Sequence, residues 1–453
     1  MGMGRKKDRE KQQDLWVPAS EIVTTPGHVF YERLNTVLAA EKFDQRVEAL
    51  CRKYYKSSSG RPSMTPGTYF RMLLLGYFEG LDSERGIAWR AADSLSIRKL
   101  LGYDLSEPTP DHSTVSRTRR LYSVATHRAV MQWVLKILRK HGLAQGQSVC
   151  IDATTLQANA AMKSLVRRDT GMGYDEYLRQ LAQAEGIENP TKEQAARLDR
   201  KRKKKASNDD WSNPNDPSAR ITKMKDGRTK LAHKAEHAVD LADGAVLAVT
   251  VQPADRGDTS SYVETLEAAQ QEAVKAHPAG IEEVVMDKGY HSGAVLVDLA
   301  ERNVRSYVPE PQRGRRKWAG KQQEQRCVYA NRRRVSGARS KRLQKLRGEL
   351  CERSFAHCYE TGAMRRVHLR GSDNVLKRVL VHAAAFNIGL LLRKLSGWGK
   401  PRAASGSGKR CLQLLGRLFG FLTLLSGIVE RLRTFCLQLL PSFSSANVFL
   451  AAA

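Results

Sequence analysis

Two aspartates and one glutamate carry the chemistry that can be read from this chain. Asp152 follows the short apolar run Val149-Cys150-Ile151, and Asp287 follows Val284-Val285-Met286. Short apolar runs of this kind predict buried strands, each ending in a carboxylate. Open α/β sheets place their ligands at the carboxyl ends of strands. Two such strands can bring two carboxylates together, where like charges repel and burial sharpens the repulsion. A divalent cation relieves it. Mg2+ is a hard ion that takes one or two carboxylates along with water and phosphate oxygens. Two ions roughly 4 Å apart can activate a nucleophile and stabilise the leaving oxygen of a phosphodiester. Holding both ions needs a third carboxylate, and Glu352 is placed to provide it. It falls in a helix expected over Lys341 to Tyr359, with Gly348 and Ala356 one turn away on its face. Two small neighbours leave room for ions and a phosphate. Singly, a strand-end aspartate is more often a turn former, and a helical glutamate is usually solvated. The inference rests on the three together and on the charge of the chain.

The elements that must position these residues follow from periodicity. Phe30 to Tyr55 carries one helical pattern, with Leu34, Leu38, Phe43, Val47 and Leu50 spaced for one face. Pro66 can open the next helix, which is apolar on most sides and should form the core of a small helical domain. Asp111 or Ser113 can cap a short helix from His112 to Tyr122. Its Ser113, Thr114, Arg117, Arg119 and Arg120 suit a helix-turn-helix reader, or equally a solvated basic face. The middle of the chain reads as strand, hairpin, helix, strand. Asp243-Gly244 marks the hairpin turn, Tyr262 to Ala276 the helix, and Val304 to Val308 a further strand. A polar, basic insertion spans 164–220, and a last pair of helices covers Lys341 to Tyr359 and Asn374 to Leu395.

The chain has 453 residues, with 76 lysines and arginines against 47 aspartates and glutamates, a formal net charge of +29. That surplus points to a polyanionic partner, nucleic acid or an anionic membrane surface. A hydrophobic content of 41% is enough for real cores. Between 313 and 347 stand 14 basic residues and one acid, Glu324, which favours a DNA track over a solvated face. The seven cysteines form no CxxC pair and are read as reduced thiols. The first residues lack the apolar core of a secretory signal. The longest apolar stretch, Leu418 to Val429, is about 12 residues and too short to span a bilayer.

In order and spacing, several segments resemble the DDE transposases of bacterial insertion sequences. They are Ile151 to Ala160, Lys234 to Asp240, Val251 to Thr259, Asp287 to Ser292, Glu352 to His357, and Arg365 to Gly371 with Asn374 and Lys377. The region from Met64 to Tyr122 is similar to the InsH-type helical N-terminal domain of such proteins. The resemblance implies an α/β fold: an RNase H-like core, a mixed sheet flanked by helices. It joins an all-α DNA-binding domain before it and a helical tail after it. It implies Asp152, Asp287 and Glu352 as a metal-binding catalytic triad, with Mg2+, or Mn2+ as substitute. It implies cleavage at terminal inverted repeats and strand transfer by a freed 3′-hydroxyl. Many relatives carry an arginine four residues before the glutamate and a lysine seven after it; here these are Gly348 and Tyr359.

Basic residues beside these motifs are expected to contact DNA: Lys203, Lys204, Lys234, Lys288, Arg332, Arg333, Arg334, Arg347, Arg353, Arg365 and Arg366. The expected division is a helical lead over 1–60, the InsH-type domain over 61–145, the catalytic domain over 146–398, and a linker with an apolar, basic segment over 399–453. The expected partners are double-stranded DNA, as transposon ends and target, and a second copy of the chain, with no membrane and no small-molecule substrate. The expected location is the bacterial cytoplasm, on the nucleoid. The rival readings are a non-catalytic DNA-binding relic or repressor, and a structure-specific nuclease of the same fold.

Overall fold

A computed structural model describes residues 28–56, 63–187, 189–201, 207–224, 226–312, 314 and 316–404. The helical region comprises α1 (Val29–Ala40), α2 (Phe43–Cys51), α3 (Pro66–Glu79), α4 (Glu84–Asp93), α5 (Leu95–Leu101), α6 (His112–Leu121) and α7 (Val124–Lys140). The single helix expected across Phe30 to Tyr55 is two helices. The chain breaks at Lys42, whose φ of 55° is left-handed and cannot continue a helix. Leu34, Leu38, Phe43 and Val47 are nonetheless all buried, because the apolar spacing resumes in phase after the turn. Thr65 caps α3 with Pro66 in its first turn, and nearly every residue of that helix is buried. Asp111, not Ser113, caps α6: its Oδ1 accepts the Thr114 N–H at 2.6 Å.

The mixed α/β half begins with β1 (Ser148–Gln157). An insertion follows, holding β2 (Val166–Arg167), α8 (Tyr174–Ala184), α9 (Lys192–Lys201) and β3 (Trp211–Ser212). It is more than a polar helix, since Trp211 packs with Ala158, Leu165, Ala219 and Leu231 in a small core of its own. Next come β4 (Arg220–Lys223), β5 (Thr229–Asp240), β6 (Val246–Pro253), α10 (Asp258–Ala273), β7 (Glu283–Val285), α11 (Gly293–Glu301) and β8 (Arg305–Tyr307). The helix α10 starts four residues earlier than periodicity suggested. Then follow α12 (Gln322–Ser336), α13 (Ala338–Phe355), a π-type turn (Ala356–Glu360) and α14 (Ser372–Ser396). The helix α12 lies inside the basic stretch between 313 and 347.

One mixed sheet organises this half, in the order β4-β5-β1-β7-β8, with β6 also pairing β5. β5 runs antiparallel to β1 and β6, whereas β7 and β8 run parallel to β1 and to each other. The Asp243-Gly244 hairpin forms as expected, with Gly244 at φ +82°. Its two flanking aspartates hold loop amides: Asp240 accepts from Gly146 at 2.8 Å, and Asp243 from Ala144 at 2.6 Å. Burial pushes the Asp240 carboxyl up to about 6. α14 is apolar enough to cross a membrane, yet 89% of its most apolar window is buried. It packs against α3, α7 and β6, and its Asn387 side chain bonds both backbone groups of Val246. Its apolarity is core packing.

The chain divides into two compact units at Gly399. Of the second, residues 400–404 are described and hold the short helix α15 (Pro401–Ala404). The expected helical tail otherwise lies outside the described residues.

Candidate active site

Parallel pairing puts the two aspartates on adjacent strands. Ser148 pairs with Glu283, Val149 with Val284 and Cys150 with Val285. The pairing ends there, so Asp152, midway along β1 and not at its end as expected, and Asp287 each lie two residues past the last pair. Neighbouring strands lie about 4.8 Å apart. β7 stops at Val285, and Asp287 turns the chain into a short 3-10 helix (Lys288–Tyr290), its Oδ1 accepting the Gly289 N–H at 2.7 Å. A side chain on Gly289 would not fit: its Cβ would lie 2.8 Å from Asp258 Oδ2 and 3.0 Å from Asp287 Oδ1. Asp258 is therefore a close neighbour of Asp287 at the start of α10.

α13 lies across both strands. Its Gln344 amide donates to the carbonyls of Met286 at 3.3 Å and Tyr307 at 2.9 Å. Its Arg347 Nη1 donates to Asp152 Oδ2 at 2.6 Å, both side chains about one-fifth exposed. The other Asp152 oxygen accepts its neighbour's amide, Ala153 N–H, at 2.8 Å. One turn on, Cys351 Sγ touches Cys150 Sγ at 2.7 Å; both thiols are free and fully buried. Arg347, Cys351 and Ser354 thus form the stripe of α13 that faces the sheet. Glu352 sits one position beyond that stripe and is exposed. Gly348 has open space where a Cβ would be, so the room expected beside Glu352 exists. Among the described residues, no three His, Cys, Asp or Glu side chains are close enough to hold a metal ion as they stand. The structure carries Asp152 and Asp287 on adjacent strands and packs the helix of Glu352 on the Asp152 strand, without closing the three into one cluster.

His237 lies opposite Asp152 on β5 and shares its face of the sheet. Its ring bonds Ser354 Oγ at 2.9 Å and Tyr359 Oη at 2.5 Å, and burial lowers its pKa to about 3, so it is neutral. Tyr359, at the position where relatives carry lysine, serves this buried contact. One step along the strand, Glu236 faces the other way, toward α10. It is fully buried and accepts hydroxyls from Ser261 at 2.9 Å, Tyr290 at 2.7 Å and Thr265 at 2.5 Å. Burial raises its pKa despite these bonds. Sequence reading quoted Glu236 and His237 within a motif but gave them no role; their adjacency to the Asp152 strand was the available signal.

The expected DNA contacts divide into those facing solvent and those held internally. Ser113, Arg117 and Arg120 are exposed on α6, and Thr114 is half-buried. Arg119 turns inward and pairs with Glu84, so it leaves the surface its neighbours share. Lys234 is buried and bonds Asp258, Ser261 Oγ and the Arg256 carbonyl. Lys288, Arg333 and Arg366 are exposed. Arg332 pairs with Glu310, Arg353 with Glu349, and Arg365 with Glu360. Arg334 donates to Ser306 Oγ at 2.8 Å and to its carbonyl at 2.9 Å. Lys203 and Lys204 lie outside the described residues.

Residues 149–388, a little over half of the chain, match the family described as Transposase DDE domain. Residues 18–121 match the Transposase domain (DUF772). The chain therefore belongs to the DDE transposases. No curated protein matches it. The family carries an RNase H-like core, and the mixed sheet flanked by helices described above is that core. Its members act on DNA and generally use divalent metal ions.

Proposed function

We propose that this transposase cuts DNA at the terminal inverted repeats of an insertion sequence and joins the freed 3′-hydroxyl to target DNA. The observation that supports this reading is the parallel β1/β7 pairing, which ends at Cys150 with Val285, two residues before Asp152 and Asp287 on adjacent strands. Both are oxygen donors, Asp152 midway along β1 and Asp287 just past β7, next to a helix that carries a third carboxylate, Glu352, beside an open glycine position. This donor set fits a hard divalent cation, which we take to be Mg2+, with Mn2+ as substitute. When bound, such ions lower the pKa of an attacking hydroxyl and stabilise the leaving oxygen. The chain's own residues do the rest. Asp152, Asp287 and Glu352 hold the cations, and Arg347 leaves Asp152 for a phosphate oxygen of the bound strand. Gln344 and the buried Tyr290 keep the Asp287 turn in place. Ser113, Thr114, Arg117 and Arg120 on α6, with Lys288, Arg333 and Arg366, track the DNA backbone. The InsH-type domain over 61–145 and the catalytic domain over 146–398 act together, in a homodimer or larger assembly on DNA, in the bacterial cytoplasm.

A labelled duplex ending in the repeat that flanks the gene tests this reading. Wild-type protein with Mg2+ is expected to nick it, and Asp287→Ala to lose about a hundredfold to a thousandfold in rate, the scale of removing one transition-state stabiliser. Equal cleavage by Asp287→Ala would refute the site. A second reading, a DNA-binding relic without catalysis, draws on the Arg347–Asp152 ion pair, which neutralises one aspartate without metal. It predicts DNA binding with no metal-dependent cleavage by the wild-type chain.

A further inference from the structure

Away from the carboxylates, α2, α7 and the chain just past α10 enclose an open groove of about 730 Å3. Its walls carry six cations, Lys42, Arg46, Lys136, Arg139, Lys140 and Lys275, and one acid, Glu41. Three of the cations are already committed. Lys140 bonds Glu41 at 2.6 Å, while Arg139 and Lys275 reach the buried Glu272 at 3.3 Å and 2.6 Å. Lys42, Arg46 and Lys136 are exposed and have no acidic partner within 4.0 Å among the described residues. Lys42 and Arg46 stand one turn apart at the start of α2, and Lys136 faces them from α7. Ala49 and Ala129 keep the groove wide, and Trp133, half-buried against Phe43 at 5.1 Å, forms part of its floor. Three unneutralised cations around one channel raise a local positive potential that attracts an anion.

We infer that this groove holds the phosphate backbone of duplex DNA, at a fixed distance from the cleaved bond. The inference rests on the transposase reading above. The distance follows from α10, which joins the two places. Asp258 opens α10 beside Asp287, and Lys275 lies just past its C-terminal end. Sixteen helical residues span about 24 Å at 1.5 Å each. At 3.4 Å per step that is about seven base pairs of B-DNA. A duplex cut at the carboxylates therefore reaches the groove about seven base pairs from the cut. The groove reads no bases; it sets how far the duplex is held beyond the reacting phosphate, as phosphate contacts generally do.

The test uses the full chain, without metal so that nothing is cut, and a 30-base-pair duplex of the flanking repeat. The triple variant Lys42→Gln, Arg46→Gln, Lys136→Gln changes only exposed side chains, and an unchanged melting temperature checks its fold. Each phosphate contact contributes about 0.9 to the slope of log affinity against log salt. The triple variant is expected to lower that slope by about 2.7. Uncharged methylphosphonates about seven base pairs from the cut are expected to weaken the wild type and leave the variant unaffected. An unchanged slope, or methylphosphonates that weaken both proteins equally, overturns the inference. So does an unchanged slope paired with loss of binding to phosphatidylserine vesicles, which would make lipid headgroups the occupant. Failure of the wild type to bind DNA at all would instead remove the transposase reading beneath it.

Discussion

The two faces of the central sheet treat a carboxylate in opposite ways. On the α13 side, Asp152 remains partly exposed and is balanced by one guanidinium, Arg347. On the α10 side, Glu236 is sealed and satisfied by three hydroxyls. The two residues are almost neighbours, since Ala153, next to Asp152, pairs with Glu236. Strand alternation alone separates them. An ion pair at the edge of solvent can exchange its cation for another, whereas a sealed carboxylate with fixed hydroxyl donors cannot. The first arrangement suits chemistry and the second suits scaffolding. Glu236 ties β5 to α10 and, through Tyr290, to the turn that carries Asp287.

Three measurements can break or sharpen that contrast. Glu236→Leu leaves three buried hydroxyls without their acceptor, at about 1–3 kcal/mol each. A loss of about 3 kcal/mol or more in urea unfolding is expected, with Glu236→Gln milder. A stable Glu236→Leu would show that the sealed face is not scaffolding. Acid is the second probe. His237 and His127 are buried and neutral, with pKa values lowered by desolvation to about 3 and about 4. Unfolding returns each to about 6.5, so the unfolded chain binds more protons below that pH. Stability is therefore full above pH 6.5 and falls as pH drops, by about 2 kcal/mol per histidine at pH 5. Asp240, raised to about 6, works in the opposite direction between pH 6 and its unfolded value. Urea midpoints at pH 7.5 and 5 should fall for the wild type and fall less for His237→Gln. The smallest effect concerns Arg347. If it occupies Asp152 in place of a metal ion, Arg347→Ala should tighten Mn2+ binding about fivefold, the equivalent of one exposed ion pair of about 1 kcal/mol. Unchanged Mn2+ affinity would mean that the guanidinium and the cation do not compete.

The strands carrying the two aspartates were legible because an apolar run followed by a carboxylate occurs twice; the end of the first was not, since β1 continues past Asp152 to Gln157. The helix carrying Glu352 and the Asp-Gly hairpin were legible for similar local reasons. The cation at Asp152 was not. Family pattern directs attention to position 348, which is glycine, while the structure uses Arg347. On α13 the positions 347, 351 and 354 fall at spacings of four and three and face the sheet; 348 is turned about 100° away, toward open space. The inward turn of Arg119 and the burial of Lys234 were equally hidden. Whether a basic side chain faces DNA or a carboxylate depends on which acids the tertiary fold brings near it. Glu84 and Asp258 are 35 and 24 residues away in the chain from the cations they hold.

The parallel pairing of β1 with β7 has a consequence for synthesis. Its partners are 135 residues apart, and the helix that covers both strands comes later still. Parallel strands with so long a connection cannot pair until the second has been made. During translation the Asp152 strand can therefore pair with β5, and β5 with β6, before β7 exists. A product stopped between residues 288 and 337 would own both aspartates but lack α13, with neither Glu352 nor Arg347 to complete or restrain them. With the triad proposed above, cutting competence would be acquired only once α13 has followed both strands.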